Sequence, residues 1–223
     1  MFDIYQLHIA FKVFYEKFGR FPIIAIEGID GSGKSTISEK LANVIGGICV
    51  HTPSKEFTEI KSIFETDEKY YLARFYFYLS SIWYSYYSNV GIIKNYPLIY
   101  DRYTLSTRVY HSVLLYHLGV KNTSCIINNV QYPPSADINI ILRVNVETAL
   151  NRVRNRKIMS FDASIECNYE IQSDVMKAFL KCDECIINAD FLSADEVLTK
   201  CINTIITYID KLNNYNNEEL FKD

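Results

Sequence analysis

The chain has 223 residues, 49% of them apolar, which suits one α/β domain with its own hydrophobic core. The net charge of −3 argues against a broad nucleic-acid surface, although a local cluster of cations is enough for a small anionic ligand. No apolar run reaches the ~18 residues of a membrane span, and charges interrupt the N-terminal segment, so we expect no signal peptide and a cytoplasmic location.

Helix and strand signals alternate along the chain. Residues 1–19 have apolar side chains at helical spacing and predict an amphipathic helix, packed on the domain or at a subunit contact. Short apolar runs that suit buried strands follow at 21–26, 48–51, 97–100, 138–144 and 184–187. Helical patterns lie between and after them, at 35–44, 56–90, 104–118, 146–156, 169–180 and 194–212. This alternation predicts an α/β protein with three layers, in which helices flank a central parallel sheet.

A Gly-rich segment, Gly28-Ile-Asp-Gly-Ser-Gly-Lys-Ser35, lies between the first strand and the next helix. It fits the pattern G-x-x-x-x-G-K-[ST], in which backbone N–H groups and a helix N-terminus surround phosphate oxygens. The pattern assigns Lys34 to the β- and γ-phosphates and Ser35 to Mg²⁺. We therefore predict an ATP or GTP site made of Gly28, Asp30, Gly31, Ser32, Gly33, Lys34, Ser35 and Thr36.

A second polar pair, Asp101-Arg102, ends the third predicted strand. An acidic side chain at the C-terminal end of a strand beside the P-loop strand is placed to hold Mg²⁺ or its waters. Asp101 and Ser35 are therefore the candidate metal ligands. Arg102 would face the crevice at the C-terminal edge of the sheet, where ligands of such folds bind. The alternative interpretation of this pair is a surface salt bridge.

Two segments resemble a known family. Glu27-Gly-Ile-Asp-Gly-Ser-Gly-Lys-Ser-Thr36 is similar to the P-loop of thymidylate kinases, and Asp101-Arg-Tyr-Thr-Leu-Ser106 with Tyr110 is similar to their DRY-x-x-S segment. Residues 142–153 and 187–190 have weaker similarity. The resemblance runs from about residue 22 to 212 and implies a P-loop kinase that transfers the γ-phosphate of ATP to dTMP with Mg²⁺ as cofactor. It also implies a homodimer, and the net charge and the lack of a long apolar run predict that the protein binds neither nucleic acid nor membrane.

The same resemblance implies roles for individual residues. The expected acceptor site comprises Asp30, Pro53, Arg74, Phe77, Arg102, Ser106 and Tyr110. Within it, Phe77 would stack on the base and Arg102 would hold the phosphate. On the donor side, Arg152 and Ala189 would lie near adenine. Lys34, Arg102 and the lid residue Arg156, or its neighbour Lys157, would supply positive charge to the transferring phosphate.

Three alternatives stay open. The family usually has an arginine one helical turn after the stacking aromatic, but Ser80 and Ser81 occupy that turn and Arg74 lies one turn earlier. An acceptor with another base, such as dUMP or UMP, is therefore the first alternative. A deoxynucleoside kinase is a second alternative, although Thr-Pro-Ser follows the second strand's His51 instead of a glutamate base. The third alternative is a regulatory P-loop NTPase, although the sequence shows no evident switch segments.

The boundaries of the expected parts follow from these motifs. Residues 1–20 would form an N-terminal helical extension, and residues 21–212 the P-loop kinase domain. A polar, irregular stretch at about 155–168 would be a mobile lid within that domain. The Asn- and Glu-rich residues 213–223 would form a frayed, flexible tail.

Overall fold

The computed structural model describes residues 4–64, 68–155, 165 and 167–219. Within them one sheet contains the strands β1 (Ile23–Glu27), β2 (Ile48–His51), β3 (Leu98–Asp101), β4 (Ile138–Arg143) and β5 (Cys185–Asn188). Their order is β2-β3-β1-β4-β5, and every neighbouring pair is parallel. The predicted parallel sheet with flanking helices is therefore confirmed.

The helices connect and cover these strands. They are α1 (Ile4–Phe18), α2 (Lys34–Ile45), α3 (Lys55–Phe64), α4 (Tyr71–Asn89), α5 (Thr104–His117), α6 (Thr123–Asn128), α7 (Val146–Arg154), α8 (Tyr169–Phe179) and α9 (Ala194–Glu219). Short 3₁₀ turns lie at Glu68–Tyr70 and Ile92–Lys94. The sequence did not predict α6. It also ended the last helix at residue 212, whereas α9 continues to Glu219 because no Gly or Pro interrupts residues 194–219.

The N-terminal helix packs into the main core. Leu7, Ala10, Phe11 and Phe14 are buried on one face of α1, in the cluster that also contains the apolar face of α9. Lys17 adds a hydrogen bond of 2.6 Å from Nζ to the carbonyl oxygen of Leu212 on α9. This helix therefore covers the sheet as part of the domain, one of the two placements expected for it. No helix in the described part of the chain is long and apolar enough to cross a membrane.

Parallel strands bring their C-terminal ends to one edge of the sheet. Ile26 of β1 and His51 of β2 both pair with Asp101 of β3, so the ends of these strands lie side by side. All five residues of β1 are buried, and the first five of β4 are buried as well. The loops that follow these strands carry the polar residues singled out in the sequence, and they meet at this edge.

Candidate active site

The P-loop, residues 28–33, joins β1 to α2 and lies directly against α7. Gly31 has a φ of 79°, and a Cβ atom there would lie 2.2 Å from the carbonyl oxygen of Ala149. Arg152, one turn further along α7, donates from Nη1 to the carbonyl oxygen of Gly31 at 3.2 Å. The loop therefore needs glycine at position 31 for two reasons, its left-handed backbone and the close approach of α7.

Lys34 begins α2 and is buried beneath the loop. Its Nζ atom donates to the carbonyl oxygen of Ile29 at 2.6 Å, and the residue is 5% exposed. Burial, with the nearby charge of Arg102, lowers the pKa of Lys34 to about 8 in spite of the carboxylates of Asp30, Asp101 and Glu27. A phosphate placed against this ammonium would supply the negative charge that favours its protonated form.

Arg102 follows β3 in a left-handed conformation, with a φ of 67°. Its backbone N–H donates to Ile26 at 3.1 Å, which keeps the turn against the end of β1. The guanidinium donates from Nη2 to Oδ1 of Asp30, and Nη1 lies 3.3 Å from the carbonyl oxygen of Gly28 and 3.5 Å from Oγ of Ser106. Arg102 therefore links the P-loop with α5.

Asp30 is held on its other side by Tyr110. The tyrosine hydroxyl donates to Oδ2 of Asp30 at 2.8 Å and accepts from the backbone N–H of Asp30 at 3.0 Å. Burial alone would raise the pKa of Asp30, but the positive charges of Arg102 and Lys34 outweigh it and the pKa is lowered. Burial and the charge of Asp30 raise the pKa of Tyr110 well above its usual range, so its hydroxyl stays a donor.

Glu27 ends β1 and is a site residue to which the sequence analysis gave no role. Its Oε1 accepts from the backbone N–H of Tyr103 at 3.0 Å, and its Oε2 accepts from the hydroxyl of Ser106. The residue is fully buried, and burial raises its pKa against the opposing effects of Ser106 and Arg102. Glu27 therefore ties the end of β1 to the start of α5. In the sequence, the sign of a special role for Glu27 is that it is the single charged residue of an otherwise apolar strand.

A cavity of about 150 Å³ opens beside Arg102. It brings together six residues predicted for the acceptor site: Asp30, Pro53, Arg74, Arg102, Ser106 and Tyr110. The lining is completed by Thr52, which begins the Thr-Pro-Ser segment after β2, and by residues without a predicted role, namely Lys61, Tyr78, Thr107, His111, Leu114 and Ile165. Positions 107, 110, 111 and 114 have the spacing of one face of α5, which is the signal that would have found Thr107, His111 and Leu114.

Phe77, the residue expected to stack on the acceptor base, does not line this cavity. Its ring stacks on Phe64 of α3 at 5.0 Å and packs against Phe57 at 5.6 Å. The next residue, Tyr78, lines the cavity instead, with the guanidinium of Arg74 5.6 Å from its ring centre. Adjacent residues of a helix point about 100° apart, so Phe77 and Tyr78 cannot both face the cavity in the same way. The aromatic residues of α3 cover the ring of Phe77, and the position of α3 was not evident from the sequence.

Other residues predicted for the site lie at the end of β3, in the first turn of α2 and directly after β5. Asp101 has Oδ2 3.2 Å from Nδ1 of His51, while its buried Oδ1 has no hydrogen-bond partner in the described part of the chain. Ser35 and Thr36 are exposed in the first turn of α2. Ala189 donates from its backbone N–H to Arg143 at 2.8 Å. The predicted lid residues Arg156 and Lys157 lie outside the described residues.

The family model for thymidylate kinase matches residues 26–198, which span the P-loop, Arg102 and the helices that line the cavity. The chain belongs to the thymidylate kinase family. It is 30% identical over 198 residues to a probable thymidylate kinase of Sulfolobus acidocaldarius, an alignment that covers 84% of this chain and 97% of that protein. The resemblance inferred from the two motifs is confirmed, and membership of the thymidylate kinase family makes the chain a nucleotide-binding kinase, that is, a phosphotransferase.

Solved structures show the same P-loop kinase fold. A thymidylate kinase from Candida albicans superposes with a TM-score of 0.69 at 20% identity, covering 84% of this chain and 92% of that one. A deoxyadenosine kinase from M. mycoides with bound dATP superposes with a TM-score of 0.65 at 21% identity, covering 82% of this chain and 98% of that one. At these identities the likeness establishes the fold and leaves the acceptor open.

Proposed function

We propose that this thymidylate kinase family member transfers the γ-phosphoryl group of ATP to a pyrimidine nucleoside monophosphate, with dTMP as the leading acceptor. The observation that carries the proposal is the position of Arg102. Its guanidinium lines the cavity and lies within 3.3 Å of the carbonyl oxygen of Gly28 in the P-loop. A cation that belongs to both sites suits a reaction in which an acceptor phosphate must lie next to the γ-phosphate of the donor.

The chemistry asks for positioning and charge neutralisation rather than for a base. An acceptor phosphate oxygen is already anionic at neutral pH, so no side chain has to remove a proton from it. Lys34 would hold the donor phosphates and Arg102 the acceptor phosphate, and both would offset the charge that spreads over the transferred group. Asp30 keeps Arg102 aimed at this position through their ion pair.

Arg74 and Tyr78 are the candidates for recognition of the base. They are four residues apart on α4, on the same face of the helix, and both line the cavity. The ring of Tyr78 would pack on the base, and the guanidinium of Arg74 would donate to its carbonyl oxygens. Arg74 would then take the part of the arginine that Ser80 and Ser81 replace in this chain.

Mg²⁺ fits the residues at the end of β3. The buried Oδ1 of Asp101, without a hydrogen-bond partner among the described residues, is a hard oxygen ligand at the sheet edge next to the P-loop. Asp101 and the exposed hydroxyl of Ser35 would hold the ion or its waters. When bound, Mg²⁺ would neutralise negative charge on the β- and γ-phosphates of ATP.

A deoxynucleoside kinase is the second candidate, because the deoxyadenosine kinase from M. mycoides shares the fold. Phosphorylation of a sugar hydroxyl benefits from a carboxylate base. The loop after β2 offers Thr52 and Pro53 to the cavity, and the carboxylate of Asp30 is engaged by Arg102 and Tyr110. A monophosphate acceptor fits this arrangement better, since it needs a cation where a nucleoside would need a base.

The test is ADP release with Mg·ATP against dTMP, dUMP, UMP, dCMP, dGMP and thymidine. Preference for dTMP supports the proposal, whereas activity with thymidine alone selects the nucleoside kinase, and ATP hydrolysis that no acceptor alters selects a regulatory NTPase. Lys34→Ala should lower turnover by at least about 10²-fold, because one main electrostatic contact is worth about 3 kcal/mol in the transition state. Lys40→Ala, on the exposed side of the same helix, is the matched control and should leave turnover unchanged.

We also propose that the protein is a homodimer that uses the outer face of α3 and α4. Four large apolar side chains of α4 are exposed there, namely Leu72, Tyr76, Tyr84 and Tyr87, and α3 adds Ile60 and Ile63. Light scattering of the purified protein measures its mass. Tyr76→Glu should convert a dimer to a monomer, and a monomeric wild-type protein would contradict the assignment.

A further inference from the structure

Gln172 is a buried amide in α8 whose two ends are both bonded. The residue is 1% exposed, and the helix that carries it packs with α5 in one buried apolar cluster. Nε2 donates to the carbonyl oxygen of Ile165 at 3.1 Å, and Oε1 lies 3.3 Å from the hydroxyl of Tyr110. A carbonyl oxygen can only accept, so the contact with Ile165 fixes which end of the amide faces Tyr110.

Both partners of Gln172 belong to the wall of the cavity. Ile165 and Tyr110 line it, and the hydroxyl of Tyr110 is also 2.8 Å from Oδ2 of Asp30. A tyrosine hydroxyl has one proton, which Oδ2 of Asp30 at 2.8 Å and Oε1 of Gln172 at 3.3 Å share as the nearer and the farther acceptor. Through Asp30 this chain of contacts ends at Arg102.

We propose that Gln172 is a positioning residue for the acceptor site, which acts by holding Ile165 and Tyr110 in the cavity wall. The inference rests on the proposed function, because that function identifies the acceptor whose KM should change. The side-chain hydrogen bonds of Gln172 end at Ile165 and Tyr110, which both line the acceptor cavity, while the P-loop contacts of Lys34 and Arg152 use different partners. Loss of Gln172 should therefore affect the acceptor and spare ATP.

The alternative is that Gln172 only stabilises the packing of α8 on α5. A buried amide is a costly way to do so, because an apolar side chain of similar size would fill the space without desolvating polar atoms. If Gln172 had only this packing role, Gln172→Leu would leave the acceptor KM unchanged. A positioning role would make the acceptor KM depend on the hydrogen-bond donor that faces Ile165.

The decisive variant is Gln172→Glu, because protonation restores its donor. A protonated glutamic acid can donate to Ile165 and accept from Tyr110 as the amide does, whereas a carboxylate faces the Ile165 carbonyl with no proton to give. The groups around it are the hydroxyl of Tyr110, the carboxylate of Asp30 behind it, and the guanidinium of Arg102, 5.0 Å from the Tyr110 ring centre. Burial favours the protonated form of the new glutamic acid and raises its pKa, so its titration moves towards the pH range in which the enzyme is assayed.

At each pH we compare the dTMP KM of Gln172→Glu with that of the wild type. We expect the ratio of the two KM values to be about ten at high pH and to fall towards one as the pH is lowered. Gln172→Leu should raise the dTMP KM by a similar factor at every pH. The ATP KM should stay within about twofold of the wild type in both variants.

Asn139 provides the matched control. It is a buried amide on β4 that donates to Glu184 at 3.0 Å, away from the cavity lining. Asn139→Asp and Asn139→Leu should leave the dTMP KM at its wild-type value at each pH, even where they lower stability.

A pH-independent KM ratio for Gln172→Glu, a wild-type KM for Gln172→Leu, or an equal rise in the ATP KM would each overturn the inference. Failure of the proposed function is seen separately, because it shows as a lack of dTMP turnover in the wild-type protein. Failure of the inference shows only in the Gln172 variants of an active enzyme.

Discussion

The guanidinium of Arg102 donates to the carboxylate of Asp30, although one residue follows β3 and the other lies in the P-loop that follows β1. Neighbouring parallel strands make this pair possible, since Ile26 and Asp101 are directly paired in the sheet. The ion pair holds the arginine at the boundary between the two proposed nucleotide sites. We therefore expect activity to require the geometry of Arg102, and not only its charge.

Arg102→Lys should therefore behave as a severe change. A lysine keeps the charge but cannot present several planar donors to Asp30, Gly28 and Ser106 at once. We expect kcat/KM for the acceptor to fall by about 10²–10³, as for the loss of one preorganised donor, with ATP affinity close to that of the wild type. Steady-state kinetics with each substrate varied in turn measure both.

Arg108→Lys is the control for that change, because Arg108 lies on α5, the helix that Arg102 contacts through Ser106, and its contact with Asn128 is at the surface. Its kinetics should match the wild type. A mild effect of Arg102→Lys, within about threefold, would show that charge alone is sufficient at this position.

Gly31→Ala should remove nucleotide binding because the added methyl group collides with α7. The new Cβ would lie 2.2 Å from the carbonyl oxygen of Ala149, so either the P-loop or α7 must move. Gly119→Ala separates this collision from backbone strain, since Gly119 also has a positive φ, of 69°, but open space around it. Both variants should lose about 1 kcal/mol to strain, and Gly31→Ala alone should lose ATP affinity in calorimetry. Equal ATP affinity in the two would contradict the prediction.

Lys34→Met should stabilise the protein at neutral pH while it removes activity. The pKa of Lys34 falls from 10.5 to about 8 on folding, so between those values the unfolded chain binds more protons and stability rises with pH. Below about pH 8 the buried ammonium costs on the order of 3 kcal/mol, at 1.36 kcal/mol for each pH unit between the two pKa values. Methionine removes this cost, as expected where function and stability conflict.

Urea unfolding at about pH 7 and again at about pH 9.5 checks the sign, because the advantage of the methionine should shrink at the higher pH. Lys40→Met, a partly exposed lysine of the same helix, is the control and should show no such dependence. A Lys34→Met protein that is less stable than the wild type at neutral pH would refute the assignment of the cost to the ammonium.

Two adjacent aromatic residues should have opposite effects. Tyr78→Leu should raise the acceptor KM by about tenfold, since stacking of a base on an aromatic ring is worth about 1–3 kcal/mol, and should change stability little. Phe77→Leu should cost about 1 kcal/mol of stability, because its ring packs on Phe57 and Phe64, and should leave the acceptor KM unchanged. Kinetics and urea unfolding of both variants give the comparison, and the reverse pattern would restore Phe77 as the base-stacking residue.

The sequence by itself determined the parts that depend on local pattern. Five apolar runs separated by helical periodicity predicted the parallel sheet, and Gly28–Ser35 predicted the phosphate loop because its spacing reflects a backbone geometry that few residues allow. Asp101-Arg102 was placed at the correct sheet edge because every parallel strand ends there. These inferences needed only neighbours along the chain.

Only the tertiary structure decided which side chains meet across elements. Phe77 and Tyr78 are equivalent as adjacent aromatics in the sequence, and the position of α3 decides that one is covered and the other lines the cavity. The links from Glu27 to Ser106, and from Gln172 to Tyr110, join residues from distant parts of the chain. Such contacts depend on how helices pack on the sheet, which local periodicity does not encode.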